Sequence, residues 1–270
     1  MSDALGPILA ATRVECARLR GALPDDVGHT PLDVYAHLGR TIGSAGPALA
    51  LIAEIKHRSP SAGALSRALS PADRARAYVA GGAAMISVLV DRASFDGDYA
   101  HVSEARAAVS VPLLAKGFCI DPVQVEAARR AGADAVLLIA RILDHVALAE
   151  LHACCLATGL TPIVEVVDEP ELERALAVSP RVLGVNARDL STLVMDRARA
   201  DRVVAAIPPG PRALFFSGLS TPADVARLSA LPRVDGALVG EVLMRSDAPT
   251  PVLAALAAAA GSVRGPHALD

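Results

Sequence analysis

The stretch LALIAEIKHRSPSAG, residues 49–63, begins as an apolar run and then turns abruptly polar. Its first part is typical of a β-strand buried on both faces, as in a parallel sheet that helices cover on each side. Glu54 and Lys56 stand two residues apart, so in a continuing strand their side chains point to the same face. Ser-Pro-Ser-Ala-Gly then marks a turn. The stretch therefore predicts a buried strand that ends in an acid–base pair.

Eight apolar runs of this kind recur along the chain, separated by stretches with helical spacing. The runs cover residues 48–55, 83–90, 111–116, 133–140, 161–167, 181–187, 212–217 and 234–240. Four intervening stretches begin with a polar residue followed by proline, which is typical of a helix start: Ser70-Pro71, Asp121-Pro122, Glu169-Pro170 and Thr221-Pro222. Strand–helix alternation repeated eight times predicts an α/β fold, a (β/α)8 TIM barrel. A doubly wound open sheet is the alternative, but no G-x-G-x-x-G follows the first strand.

The length of 270 residues suits one such barrel, which typically needs about 250 residues. Residues 1–47 precede the first strand and are predicted to form an N-terminal helical extension packed on the barrel. Residues 48–260 are assigned to the barrel itself, and residues 261–270 to a tail.

The composition limits the classes of function. The net charge of −3 and the 3% of aromatic residues, with no Trp, argue against a nucleic-acid-binding protein. No segment offers 18 or more uncharged apolar residues, so a membrane span is not expected. The four cysteines show no C-x-x-C spacing, and the N-terminal segment is charged from Arg13 onward. Both features favour a reduced, cytoplasmic protein over a secreted one.

Polar and charged residues lie where several predicted strands end. Lys116 ends the third strand, Glu165 lies near the end of the fifth, and Asn186 near the end of the sixth. In a TIM barrel the carboxyl ends of the strands meet at one face, which holds the active site. A structural ion pair would explain Glu54 and Lys56 alone. Two lysines and two carboxylates at one mouth, however, are costly to desolvate and predict acid–base catalysis.

An anion site is predicted beside this cluster. The stretches FSGLSTPADV at 216–225 and LVGEVLMR at 238–245 each end a strand, turn on a glycine and open a helix. Gly218 and Gly240 thus follow the seventh and eighth strands, where TIM barrels commonly bind phosphate through backbone N–H groups. Ser59 and Lys56 are candidates to complete this site.

The remaining histidines and one charged loop carry weaker signals. Six histidines show no metal-ligand spacing and are interpreted as surface or helix residues: His29, His37, His101, His145, His152 and His267. No metal site is predicted. Arg188 and Asp189 follow the sixth strand, where a loop ion pair and a substrate contact through Arg188 are both open.

Taken in order, these pieces resemble the indole-3-glycerol phosphate synthase family, over roughly residues 48–246. The matching stretches are IAEIKHRSPS, ISVLVDRASFDGDY, LLAKGFCIDPVQV, AGADAVLLIARIL, TPIVEVVDEPEL, GVNARDLSTL, SGLSTPADV and LVGEVLMR. The resemblance implies a carbon–carbon lyase. Such an enzyme closes the indole ring of a phosphorylated carboxyphenylamino-deoxyribulose with loss of CO2 and water, without a metal or organic cofactor.

The resemblance also implies roles for individual residues. Lys116 would be the general acid, Glu165 its acid–base partner, and Lys56 a substrate contact that Glu54 orients. Asn186 would hydrogen-bond the sugar-derived chain. The phosphate would lie on Ser59, Ser217, Gly218 and Gly240. Phe95 would pack against the aromatic ring of the substrate, and a core position for Phe95 is an equal alternative. Phe216 and Arg188 complete the predicted substrate-binding residues.

Several positions depart from the family pattern. The family usually has Lys-Asp-Phe where this chain has Lys116-Gly117-Phe118, and Glu-Ser-Gly where it has Phe216-Ser217-Gly218. Val90 stands for a usual Thr, His57 for a usual Arg, and Val242 for a usual Ser. These changes keep the central lysines and carboxylates but reshape the predicted pocket.

The departures leave alternatives open. One is a related phosphate-binding barrel that acts on a modified anthranilate-derived substrate in a specialised pathway. Others are a phosphosugar isomerase and a non-catalytic ligand-binding or scaffold homologue. The expected partner is a small phosphorylated molecule, not nucleic acid or a membrane, with contacts to other pathway enzymes as an option. The expected oligomeric state is a monomer or weak homodimer.

Overall fold

In a computed structural model, which describes residues 5–38, 49–60, 63–231 and 233–261, eight parallel strands close into a barrel. The strands are β1 (Ala50–Ile55), β2 (Met85–Leu89), β3 (Leu113–Lys116), β4 (Ala135–Ile139), β5 (Thr161–Val166), β6 (Val182–Asn186), β7 (Arg212–Phe216) and β8 (Gly236–Val239). Each strand lies within one of the eight predicted runs, so the predicted TIM barrel is confirmed. A short antiparallel hairpin, Arg58–Ser59 with Gly63–Ala64, follows β1.

Closure depends on β1, which pairs with strands on both sides. Ile52 is in register with Met85 of β2, and Ala50 is in register with Gly236 of β8. Every other strand pairs with its neighbours in chain order. All strands therefore end at the same face, and side chains near their carboxyl ends share one mouth.

Helices surround the barrel, and their first residues follow the predicted pattern closely. They are α1 (Leu5–Gly21), α2 (Val34–His37), α3 (Pro71–Ala80), α4 (Arg92–Phe95), α5 (Tyr99–Ala108), α6 (Pro122–Arg130), α7 (His145–Ala157), α8 (Glu169–Leu176), α9 (Arg197–Ala206), α10 (Pro222–Ser229), α11 (Glu241–Met244) and α12 (Pro249–Ala259). Ser70, Asp121 and Thr221 are N-cap residues, as the polar-proline pattern predicts. For α8 the cap is Asp168, one residue before the predicted start.

The core has two layers because side chains alternate along each strand. Interior side chains such as Ile52, Leu137 and Leu214 fill the barrel. Residues of the other parity, such as Ala53 and Val88, pack against the surrounding helices. Burial of a large apolar side chain contributes about 1.5–3 kcal/mol each. The alternation also places Glu54 on the interior side, two residues above Ile52.

Two helices precede β1. Helix α1 contacts α4 and α6, and its residues Leu5 and Ile8 join the apolar side chains at the carboxyl-terminal mouth. Helix α2 lies at the opposite end, where the hydroxyl of Tyr35 donates to the carbonyl of Gly210 (3.1 Å). Residues 1–4 and 39–47 of the predicted extension, residue 48 of the first predicted strand, and residues 262–270 of the predicted tail lie outside the described residues. Within the described part of the chain, no helix combines the length and apolarity needed to span a membrane.

Candidate active site

A cavity of about 500 Å³ opens at the carboxyl ends of the strands. It brings together all of the predicted site residues except Glu165: Glu54, Lys56, Ser59, Phe95, Lys116, Asn186, Arg188, Phe216, Ser217, Gly218 and Gly240. Glu165 does not line the cavity. Its side chain is buried, with 1% exposure, and accepts a hydrogen bond from Asn186, which does line it. The cavity lies at the face where barrels hold their active sites.

Glu54 joins the two lysines of the mouth. Its Oε2 is 2.5 Å from the Nζ of Lys56, and its Oε1 is 3.4 Å from the Nζ of Lys116. Burial opposes the charge on Glu54, but the ammonium groups of Lys56 and Lys116 outweigh it and hold its pKa below the ordinary value. The ionised form of Glu54 is therefore favoured, and its carboxylate pairs with both amines.

Lys116 remains protonated in this setting. Burial works against its charge, yet the carboxylates of Glu54 and Glu165 hold its pKa above the ordinary lysine value. Its side chain is 18% exposed, and the exposed part faces the cavity. Lys116 can therefore offer a proton to a bound molecule while the carboxylate of Glu54 balances its positive charge.

Glu165 belongs to a short chain of polar side chains. Its Oε1 accepts from the Nδ2 of Asn186 (3.1 Å), whose Oδ1 accepts from the hydroxyl of Ser217 (2.8 Å). The Oε2 of Glu165 is buried and has no hydrogen-bond partner among the described residues. Burial raises the pKa of Glu165, although Lys116 and Asn186 act in the opposite direction.

The two buried carboxyl groups thus have pKa values shifted in opposite directions. Glu54 is held ionised by its lysines, whereas Glu165 is pushed toward the neutral acid. Such a separation is the usual basis for dividing acid and base roles within one site. The arrangement can supply a proton from Lys116 and can both give and take one at Glu165.

The glycine turns after β7 and β8 lie against this cluster. A Cβ at Gly240 would overlap the Oε2 of Glu54 and lie 3.0 Å from the Nζ of Lys56, so the lack of a side chain at this turn leaves room for the ion pair. Ser217 and Gly218 have φ angles of 73° and 78°, in the left-handed region. The turns therefore form a tight backbone rim beside an ammonium group, which suits an anion.

One part of the predicted anion site needs correction. Backbone N–H groups at the helix start near Thr221 were expected to be available to an anion, and those of Ser220 and Thr221 lie there. They donate instead to Asp224 (3.1 and 3.0 Å), as part of a capping box with Thr221. A bound phosphate would therefore have to use the turns at Gly218 and Gly240 rather than these two amides.

Apolar side chains form the opposite wall of the cavity. The rings of Phe95 and Phe118 lie 6.3 Å apart, and Leu5, Ile8 and Leu190 complete the wall. Phe118 was not predicted as a site residue. Its position two residues after Lys116, on the same face of an extended segment, is the signal that would have identified it.

The ring of Phe216 fills the space left by the missing side chain of Gly184 on the adjacent strand. Its ring is 1% exposed and lies over Gly184, where a Cβ would overlap the ring. The ring also borders the cavity. A position at which the family usually has glutamate therefore forms an apolar part of the wall, supported by a glycine on the adjacent strand.

Two other departures from the family pattern contact each other. A Cβ at Gly117 would lie 3.0 Å from the Cγ2 of Val90, so the residue pair 90 and 117 is apolar and closely packed. His57 is a further departure from the family pattern. Its ring is buried and packs edge to face against the ring of His101, with 4.9 Å between the centroids. Burial lowers the pKa of both histidines.

Two sequence-based interpretations are wrong. Asp189 does not pair with Arg188, because its carboxylate accepts from Arg141 (2.8 Å) while Arg188 donates to the carbonyl of Leu193 (3.1 Å). His29 is not simply a surface residue, since its Nε2 is hydrogen-bonded to the buried Asp134 (2.7 Å). Arg188 itself lines the cavity, as the substrate-contact alternative requires.

Some cationic residues of the cavity were missed, and one simple signal was overlooked. Arg197 and Arg245 line the cavity and pair with Asp224 (3.0 Å) and Glu241 (2.9 Å). Of the 26 lysine and arginine residues in the chain, only Lys56 and Lys116 are lysines. Both lie in the cavity, so counting lysines would have marked the site.

Among the described residues, no three His, Cys, Asp or Glu side chains are grouped to hold a metal ion.

Comparison with known proteins agrees with this geometry. A family model described as indole-3-glycerol phosphate synthase matches residues 29–256. Two proteins called indole-3-glycerol phosphate synthase are similar to the chain. The one from Shouchella clausii is 41% identical, covering 90% of this chain and 93% of its own. The one from Rhodospirillum rubrum is 43% identical, covering 91% and 95%.

Solved structures show the same fold at low identity. A 3-hexulose-6-phosphate synthase covers 78% of this chain and 99% of its own, with a TM-score of 0.62 and 16% identity. A thiamine phosphate pyrophosphorylase from Pyrococcus furiosus covers 80% and 98%, with a TM-score of 0.59 and 17% identity. These likenesses support the barrel alone. The family match and the relatives go further, and the chain belongs to the indole-3-glycerol phosphate synthase family.

Proposed function

We propose that the chain is an indole-3-glycerol phosphate synthase. It would convert 1-(2-carboxyphenylamino)-1-deoxyribulose 5-phosphate into the indole product with release of CO2 and water. One observation supports this proposal above the others: a single cavity combines two lysine amines with the glycine turns after β7 and β8. The apolar wall at Phe95 and Phe118 suits the aryl ring of the substrate.

The first step is carbon–carbon bond formation. The ring carbon that bears the carboxylate attacks the keto carbon of the sugar-derived chain, and the keto oxygen takes a proton from Lys116. The carboxylate of Glu54, which pairs with the Lys116 ammonium, keeps it charged until that moment. A positioned acid of this kind typically contributes 10²–10⁴-fold to a rate.

Loss of CO2 and of water completes the indole. The carboxyl group leaves as CO2, and its electron pair restores the aromatic ring. The new hydroxyl then leaves as water with a proton from neutral Glu165. The resulting carboxylate takes a proton from the adjacent carbon, which forms the ring double bond. One proton is consumed overall, and Lys116 recovers it from solvent.

The other residues bind and orient the substrate in this proposal. Lys56, with Ser59, Ser217, Gly218 and Gly240, would hold the phosphate. Asn186 would hydrogen-bond the chain hydroxyls as well as Glu165. A phosphate fixed away from the reacting carbons supplies binding energy that is used for orientation. The expected compartment is the cytoplasm, and the free thiols of Cys16, Cys119, Cys154 and Cys155 support a reducing environment.

The test is turnover by the purified protein. We expect the phosphorylated substrate to give a product lighter by one CO2 and one water, with the fluorescence of an indole, and the dephosphorylated analogue to react far more slowly. Unchanged substrate in the presence of folded protein would refute the proposal. Ring-substituted substrates in parallel examine the effect of Phe216, since a higher kcat/KM for one of them would assign the chain to a modified substrate.

A further inference from the structure

Arg141, just after β4, binds three carboxylates at the catalytic end of the barrel. Its Nε donates to Glu171, its Nη1 to Asp189 (2.8 Å) and its Nη2 to Asp168 (2.8 Å). Asp168 and Glu171 follow β5, and Asp189 follows β6. One guanidinium therefore connects the segments that follow three consecutive strands, although Arg141 does not itself line the cavity.

The first connection leads to Glu165. The Oε2 of Glu171 accepts from the backbone N–H of Val167 (2.8 Å), which lies two residues after Glu165. The Oδ1 of Asp168 accepts from the backbone N–H of Glu171 (3.0 Å) and caps α8. Because Arg141 fixes both carboxylates, it fixes the backbone immediately beyond Glu165.

The second connection leads to Arg188 and Asn186. The Oδ1 of Asp189 accepts from the backbone N–H groups of Ser191 (2.8 Å) and Thr192 (3.1 Å), which closes the loop after β6. Arg188 donates from its backbone to the Oδ1 of Asn186 (3.0 Å). Asn186 in turn donates to Glu165. Both connections thus end at the same pair of side chains.

Only arginine can make this junction. Its planar guanidinium presents five donors in a fixed fork, whereas a lysine ammonium is a single point that cannot reach three separate carboxylates. The three carboxylates would repel one another without the cation, and Glu171 is only 3% exposed. The junction therefore holds charged groups in one arrangement that relaxes if the fork is lost.

We propose that Arg141 is a positioning residue that aligns Glu165 and the Asn186–Arg188 segment for the reaction. This inference rests on the proposed function for its kinetic consequences. Its structural consequence, a fixed backbone at residues 165–171 and 188–194, can be measured independently of any substrate.

The experiment compares Arg141→Lys with Arg129→Lys. Arg129 is a matched control because it also joins two carboxylates, Asp26 (2.8 Å) and Glu126 (2.9 Å), and lies on α6 outside the cavity lining. We expect Arg141→Lys to lower kcat about 10- to 100-fold, since a misplacement of about 1 Å has effects of this size, and to change KM less than threefold. Arg129→Lys should keep both constants.

A second variant separates positioning from general loss of stability. Added guanidinium at millimolar concentration should raise kcat of Arg141→Ala at least fivefold over its value without additive. Urea at the same concentration should not raise it. Hydrogen–deuterium exchange should become faster at residues 165–171 and 188–194 in both Arg141 variants and stay unchanged there in Arg129→Lys.

Each result decides the proposal. Full kcat in Arg141→Lys, equal losses in the two lysine variants, or unchanged exchange in both segments would overturn it. If wild-type protein shows no turnover, the proposed function fails, and the exchange measurement still decides whether Arg141 fixes these segments.

Discussion

Two buried carboxylates at opposite ends of the barrel differ in how fully they are hydrogen-bonded. Asp134, just before β4 at the amino end, accepts from His29 (2.7 Å), Arg106 (3.0 Å) and the backbone N–H groups of Leu32 and Leu113 (2.8 and 2.7 Å). Glu165, at the carboxyl end of β5, accepts one hydrogen bond and keeps its second oxygen unpartnered within the described structure.

The difference is the one expected between a structural carboxylate and the proposed acid–base residue. A buried acceptor without a partner costs about 1–3 kcal/mol, which a purely structural residue would not retain. Asp134 joins the segment before α2 to β3 and β4 and leaves no bonding capacity free. Glu165 keeps capacity on one side, beside a cavity that can supply a partner. We therefore expect changes at the amino end to affect stability and changes at the carboxyl end to affect rate.

The largest expected effect is at Lys116. Lys116→Met removes the proposed proton donor, so kcat should fall about 10³- to 10⁴-fold. Glu54 keeps Lys56 as a partner, so the fold should persist by circular dichroism. The chain has no lysine outside the cavity that could serve as a control. Arg76→Met, at an exposed ion pair with Asp73, is used instead and should keep full activity. A kcat within tenfold of wild type would remove Lys116 from the mechanism.

The converse effect is expected at Asp134. Asp134→Asn leaves Arg106, whose side chain is 9% exposed, without its anion. Breaking a buried pair in this way typically costs about 3–5 kcal/mol of unfolding free energy. Urea unfolding measures the loss, and kcat at low temperature should be unchanged. Asp201→Asn, at the more exposed pair with Arg227, should cost less than about 1 kcal/mol. A large loss of kcat in folded Asp134→Asn would contradict the comparison.

Glu165→Gln is expected to affect rate without lowering stability. The amide cannot exchange a proton, so kcat should fall about 10²-fold. The melting temperature at pH 7 should stay the same or rise, because burial penalises the ionised form of Glu165, whereas the amide is neutral at every pH. Glu173→Gln, at an exposed position of α8, is the control for both measurements. A marked drop in melting temperature would show that Glu165 is structural, like Asp134.

A smaller effect is expected where Phe216 packs on Gly184. Gly184→Ala places a methyl group against the ring and should cost about 1–3 kcal/mol of stability. Phe216→Leu in the same chain should recover part of this cost, which a double-mutant cycle measures as coupling. Gly21→Ala, where a Cβ meets open space, is the control. Strict additivity of the two changes would contradict the packing.

The smallest expected effect is a slope of stability against pH. The pKa of Glu165 is raised in the folded state, so the folded protein binds this proton more tightly than the unfolded chain. Stability from this group is therefore greatest below the ordinary glutamate pKa and falls as pH rises toward the folded value. The advantage of Glu165→Gln in melting temperature should grow over the same interval. A difference that is constant with pH would contradict the raised pKa.

The sequence predicted the strands well and the contacts between loops poorly. All eight strands were identified because β-type runs buried on both faces are continuous, and alternation then placed Glu54 and Lys56 on one side. Alternation could not show that Asp189 turns to Arg141, 48 residues away, rather than to Arg188 beside it. Arg197, at the start of α9, and Arg245, just after α11, also reach the cavity, and strand parity does not apply at either position.

The start of α10 shows a second limit. A polar-proline helix start was read correctly at Thr221, yet the same motif provides Asp224, whose carboxylate occupies the amides. Local patterns thus identified the element but not the competition for its donors. Residues paired by the fold, such as Phe216 with Gly184, are invisible until the adjacent strands are aligned.

The confinement of both lysines to the mouth has a consequence for covalent chemistry. The exterior of the protein offers guanidinium groups but no side-chain amine, so acylating agents, aldehydes and reactive sugars meet only two ε-amino targets. Both are reached through the cavity, with side chains 14% and 18% exposed. We therefore expect ε-amine modification to report on access to the cavity and to slow when a ligand occupies it.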